Sequence, residues 1–292
     1  MKSFLEKHII GGQGEEQLPI DRKHAFGFYF KQQFWKLLFF GIFAALFFTP
    51  LLVWLYAMNF AKAQAMATLD PSAADYAKQY GELLVGWTAK TYGVAVLLFG
   101  VGFVGLFGLF SVVKRICFYQ SSGYGEFFVG IKQNCIHFVL WGLMFGLSLF
   151  FLRFNVVFYN VSKLNPFVKG LLVGFSVGLF VIVSIATMYF VTGDVTYRYS
   201  FGQSFKNAFL LAFNGMFKNL LFVVVGLAPF VAALLVPSPF QVVVLAVLGL
   251  IYLSVLSMFW TCYCQGVFDK VINPQLGTEF VGKGLAKKVD NN

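Results

Sequence analysis

The stretch FGQSFKNAFLLAFNGMFKNLLFVVVGLAPFVAALLV, residues 201–236, carries phenylalanine at 201, 205, 209, 213 and 217, a strict four-residue step. Four residues advance an α-helix by about 400°, so these rings sweep a broad apolar stripe beside Lys206, Asn207, Asn214 and Lys218. Such a segment predicts a helix lying on a membrane surface. The apolar run that follows, Leu220 to Val236, predicts that the chain then enters the bilayer.

The same order occurs twice earlier. AFGFYFKQQFWKLLFF (25–40) precedes one apolar run and YGEFFVGIKQNCIHFVLW (124–141) leads into another. Phe30-Lys31, Ile131-Lys132, Phe205-Lys206 and Phe217-Lys218 each set an apolar residue, a lysine and then an amide at the boundary. Lysine can lay its stem along the acyl region and keep its ammonium among phosphates, while phenylalanine fills the acyl boundary. Three repeats are therefore expected, over about 24–115, 124–198 and 201–270, each an interfacial amphipathic helix followed by a two-span hairpin. Candidate interfacial or partner-docking residues are Phe30, Lys31, Phe127, Ile131, Lys132, Phe201, Phe205, Lys206, Phe209, Phe213, Phe217 and Lys218.

Composition agrees with a membrane protein. The 292 residues are 59% hydrophobic and only 12% charged, against about 25% charged in soluble domains. Six stretches meet or approach the length of a span: Leu37–Phe60, Thr91–Val113, Phe138–Tyr159, Gly170–Val191, Leu220–Val236 and Gln241–Cys264. The fold expected is an all-α integral membrane domain of six transmembrane helices over 24–270. Residues 1–23 form a segment before it, 61–90 an external segment with short helices around Asp70-Pro71, and 271–292 a basic, loosely ordered tail. Pro237-Ser238-Pro239 predicts a tight turn between the last two spans. Pro50 and Pro229 predict kinks in the first and fifth.

Charge sets the expected orientation. Of 22 lysines and arginines, sixteen fall in segments that share one side when the first terminus is inside. Lys62, Lys78, Lys90, Lys163 and Lys169 would lie outside, and Arg153 within a span. The positive-inside bias then predicts both termini in the cytoplasm. A net charge of +10 points to anionic lipid headgroups; with no dense basic patch interleaved with aromatics, nucleic acid is not an expected partner. MKSFLEKHIIGGQGEEQ (1–17) does not read as a secretory signal, because its apolar run is short and carries acidic residues.

Sites for chemistry are sparse. Cys117, Cys135, Cys262 and Cys264 read as free thiols on the reducing side, and with His8, His24 and His137 they show no zinc-ligand spacing. No metal, cofactor or catalytic residue is expected, since nucleotide-loop, zinc-protease and nucleophile-elbow motifs are missing. Asp194 reads as a local ion pair with Arg198 or a helix-end cap. Arg153 is the candidate intramembrane charge, read either as snorkelling outward or as binding an anion. Gly142 and Gly146, and the doubled motif Gly170, Gly174 and Gly178, are candidate helix-packing positions, with self-association as the alternative use.

GVGFVGLFGLFSVVKRICFYQSSGYGEFFVGIKQN (100–134) resembles the central signature of the YesL-like membrane proteins, a domain family of unknown function. There a glycine-rich span ends in basic residues, here Lys114-Arg115, before an aromatic-rich helix, here Phe127 to Asn134. Met188 to Leu221 resembles the family's second half through Asn207-Ala208-Phe209-Leu210-Leu211-Ala212. The first hairpin departs from the pattern, because Thr49-Pro50 is followed by more apolar sequence and the segment 61–90. The resemblance implies a bacterial-type inner membrane and a neighbourhood of carbohydrate uptake systems, and transfers no catalytic residue. Together these readings lead to the expectation of a non-catalytic accessory or regulatory partner of transporter subunits. The competing expectation is a channel or facilitator for a small solute or ion.

Overall fold

The computed structural model describes residues 18–119, 122–197, 199–234 and 240–286. Residues 1–17, Arg198, the Pro237-Ser238-Pro239 turn, Lys287 and Lys288 lie outside the described residues. The described chain is all-helical: α1 (Arg22–Leu46), α2 (Thr49–Ala67), α3 (Tyr76–Tyr119), α4 (Glu126–Val161), α5 (Pro166–Tyr197), α6 (Phe201–Phe213), α7 (Met216–Leu234), α8 (Phe240–Val271) and the short α9 (Asn273–Leu276). Four of these helices are long and apolar enough to cross a membrane, and two bent pairs raise the number to six.

The first bent pair is α1 with α2, which meet at 50°. Asp21 starts α1 by accepting the backbone N–H groups of Lys23 (2.9 Å) and His24 (2.8 Å). These bonds, His24 first, hold the Asp21 carboxyl below its usual range. Gln33 then leaves helical geometry (φ −114°, ψ 19°) and divides the 22–32 portion from the rest of the helix. The break between α1 and α2 falls at Phe47-Phe48, with Pro50 in the first turn of α2. There its ring is tolerated and its missing N–H leaves nothing unpaired.

The second pair, α6 with the start of α7, bends by 99°. Gly215 makes this corner at φ +82°, a conformation costly for a residue with a Cβ. Pro229 lies inside α7, which runs through it. By contrast α4 is one helix from Glu126 onward, without a separate surface element before its span.

Segment 61–90 does not fold as separate short helices. α2 continues to Ala67 and α3 begins at Tyr76, so only a short turn around Asp70 and Pro71 lies between them. Asp70 accepts the Ser72 N–H (2.9 Å) and hydroxyl (2.7 Å), which lowers its pKa. At 1.5 Å per residue the 44 residues of α3 reach about 66 Å, roughly twice a hydrocarbon core, so α3 is longer than one crossing needs.

α3 and α4 pack antiparallel along most of their length. A Cβ on Gly142 would meet Phe99 O at 2.7 Å and Gly100 Cα at 2.8 Å, and one on Gly146 would meet Val96 Cα at 2.9 Å. These two glycines therefore admit the backbone of α3 itself. α1 approaches the other side of α3, where a Cβ on Gly105 would meet Ala44 O at 2.7 Å. Gly170, Gly174 and Gly178 have nothing within 4 Å of the corresponding position, and Phe167, Leu171 and Phe175 beside them are exposed. Replacing Gly142 with Leu should lower stability by about 2 kcal/mol or more through overpacking, whereas Gly174→Leu should stay within about 0.5 kcal/mol. Thermal unfolding of both variants in detergent micelles checks the contrast.

Candidate functional site

The ends of α3, α5 and α8 and the starts of α1, α4 and α7 converge on one end of the bundle, where most of the described cations lie. Asp269 on α8 accepts from Arg22 Nε (2.9 Å), Asn273 Nδ2 (2.7 Å) and the Gly282 N–H (3.0 Å). Asn273 Oδ1 in turn accepts the Tyr197 hydroxyl of α5 at 2.5 Å. Tyr29 donates to Gly284 O (2.5 Å), and the Ala286 N–H donates to Pro19 O (3.0 Å). The described part of the 271–292 tail is thus fastened to the bundle, unlike the loose end expected from its glycines and charges. The side-chain bonds among these are part-buried, which gives them more directional weight than bonds in open solvent.

At the α6–α7 corner Asn219 saturates its amide. Its Oδ1 accepts the hydroxyls of Tyr189 (2.6 Å) and Tyr263 (2.7 Å), while Nδ2 donates to Leu211 O (2.9 Å), Ala212 O (3.0 Å) and Asn214 O (3.2 Å). One side chain thereby caps the end of α6 and ties it to α5 and α8. Sequence reading treats Asn219 as a boundary amide, and its burial is the feature it misses.

Asp194 is 0% exposed. Its carboxylate accepts the Ser204 hydroxyl of α6, and His137 Nδ1 of α4 lies 3.1 and 3.3 Å from its two oxygens. The three helices are thus joined through residues far apart in sequence. This is not a nucleophile relay, because the serine hydroxyl donates to the carboxylate directly, at Oδ1, the oxygen that His137 Nδ1 also lies nearest. In a hydrolytic triad the imidazole stands between. A cavity of about 10 Å³ beside Asp194, Ser204 and Asn207 is near the lower limit for one water.

The structure separates the expected boundary residues into two groups. Phe127 is fully buried, stacked on Phe40 at 5.6 Å, and Phe30 and Ile131 are half-buried against the α1–α3 core. Phe201, Phe205 and Phe209 turn inward, with Phe201 5.8 Å from Phe190, and Phe205 and Phe209 5.9 and 6.0 Å from Trp141. Phe213 and Phe217 point away from the bundle, Phe217 at 85% exposure, and Lys31, Lys132, Lys206 and Lys218 are exposed. A four-residue step drifts by about 40°, so the stripe that begins against the bundle faces outward by its fourth ring. Arg153 at the opposite end is exposed, with Nε 3.0 Å from the Tyr92 hydroxyl and the guanidinium over that ring at 5.4 Å.

Between α3, α4 and α5 the bundle is filled by rings. Trp141 stacks on Phe190 at 4.1 Å and donates Nε1–H to Thr187 at 3.0 Å, with Phe107 and Phe138 buried alongside. The class so defined is an all-helical chain with four to six helices able to cross a membrane, tied at its basic end by buried polar side chains. No family model, curated protein or solved structure matches the chain.

Asn219→Ala removes an acceptor from two tyrosines and a donor from three carbonyls. A loss of about 3 kcal/mol is expected, since each buried group left unpaired costs about 1–3 kcal/mol. Tyr263→Phe should cost about 1 kcal/mol. Denaturant unfolding in micelles decides this, and wild-type stability of Asn219→Ala would show that the network carries no load.

Proposed function

We propose that this chain is a non-catalytic multi-pass membrane protein that serves as an accessory or regulatory partner of a membrane transport system. Carbohydrate uptake is the class of system implied by the YesL-like resemblance. In this reading the basic end and both termini face the cytoplasm of a bacterial-type cell, where loops rich in lysine and arginine are retained. Anionic lipid headgroups surround that end.

The observation that carries the reading is the α6–α7 corner. Phe213, Met216 and Phe217 stand exposed next to Lys218, and Asn219 locks the turn that displays them. A rigid apolar projection with a cation at its edge suits docking of a partner helix, because little ordering entropy is lost on binding. The ring-filled centre between α3, α4 and α5 further supports a role that does not conduct solute through that space.

Gentle purification from native membranes should recover transporter subunits in stoichiometric amount with the wild-type chain. Phe213→Ala with Phe217→Ala should weaken partner binding about thirtyfold and lower that recovery accordingly, as loss of two apolar anchors worth about 1 kcal/mol each requires. Recovery of the chain alone, with solute flux after reconstitution into proteoliposomes, would overturn the proposal in favour of an autonomous channel or facilitator.

A further inference from the structure

A polar pocket of about 260 Å³ opens between the end of α3 and the start of α4. α3 lines it with Ser111, Lys114, Arg115 and Tyr119, which share one side of the helix at three- and four-residue steps. α4 supplies Glu126 and Gln133, one heptad apart on its facing side. Gly130 lets α4 touch α3 at Ser111, so the helices meet at that level.

The two cations are held at the wall by protein groups. Lys114 Nζ donates to Val195 O on α5 at 3.0 Å. The Arg115 guanidinium lies over the Tyr119 ring at 4.8 Å, and its Nε is 3.9 Å from Glu126 Oε2. Glu126 offsets part of their charge, and the lining residues retain a positive excess. Hydroxyl and amide groups of Ser111, Tyr119 and Gln133 complete a lining with few apolar parts. The volume holds roughly eight or nine waters at about 30 Å³ each, enough for a phosphate group with a short organic stem.

We infer that this pocket binds a phosphate monoester, with Lys114 and Arg115 neutralising the anion and Ser111, Tyr119 and Gln133 donating hydrogen bonds to its oxygens. Guanidinium and ammonium groups at a low-dielectric boundary form charge-assisted bonds stronger than neutral ones. A basic pocket between helices at a membrane boundary is also where anionic headgroups are recognised. The monoester can belong to a lipid headgroup or to a soluble phosphorylated metabolite, and in both cases the site goes beyond the partner role and stands if that role fails.

The test uses the full chain and two probes. In one arm the protein is purified from phosphatidylcholine vesicles doped with phosphatidic acid, and retained lipid is counted by native mass spectrometry. In the other, protein in phosphatidylcholine nanodiscs is titrated calorimetrically with glycerol 3-phosphate. R115Q and K114Q/R115Q should weaken binding at least about tenfold. K206Q, a charge loss on α6, should change it less than about twofold. E126Q removes the opposing carboxylate without removing a cation and should tighten binding about two- to fivefold; it keeps the test decisive if the double variant misfolds. Selective retention of phosphatidic acid assigns the lipid source, and saturable glycerol 3-phosphate binding assigns the soluble one. Absence of binding by the folded wild type in both arms overturns the proposal, as does an equal loss in K206Q.

Discussion

Gly142 and Gly146 bring the backbone of α4 against that of α3, and the other helices are arranged around this pair. In hydrocarbon, apolar side chains gain little by leaving lipid for protein, so helices associate through close van der Waals contact and hydrogen bonds. Glycine permits the first by removing the side chain that would hold backbones apart. On the other face of α3, Gly105 admits α1 near Ala44, so one long helix serves as the shared wall of two interfaces. Large rings then fill the spaces that close backbone contact leaves, with Trp141 and Phe190 on one side and Phe40 and Phe127 on the other.

Polar side chains do the complementary work at the basic end. Asp194, Asn219 and Asp269 each bind groups from at least two other segments. An unpaired amide or carboxylate buried at this depth would be expensive, so each such residue favours the one arrangement in which its partners meet it. Glycine contact alone would allow sliding along a helix. The polar ties fix which turn faces which.

Much of this was legible in the sequence, and the limits are physical. The bend ahead of Pro50 follows from proline's own geometry, and helix α6 follows from its four-residue phenylalanine step. Gly142 and Gly146 carry the same spacing as Gly170, Gly174 and Gly178, yet only the first pair is packed, because spacing creates a groove and does not supply a neighbour. Phe127 and Phe217 both read as interfacial residues in the sequence and end at opposite extremes of burial. Phe127 faces the gap left by Gly108 on α3, while Phe217 follows a glycine corner that turns it outward. His137 and Asp194 stand 57 residues apart, so only the packing of α4 on α5 reveals them as partners. A Gly-Asp pair near the end of an apolar run was the available signal, and it was equally compatible with a local pair to Arg198 or a helix-end cap.

The segments nearest the two ends of the described chain meet through the Pro19 and Ala286 backbones and through Arg22 and Asp269, so the basic end is closed on itself. Lys36 reinforces it by donating to Ser122 O at 2.8 Å, which holds the α3–α4 connection against α1. A surface built on such cross-links changes shape only by breaking several part-buried bonds together. Groups displayed there, the α6–α7 corner and the cations of α3 among them, are therefore held in place before any ligand or partner arrives. Recognition at this end then favours rigid complementarity over ordering on contact, since the ordering entropy is already spent in folding.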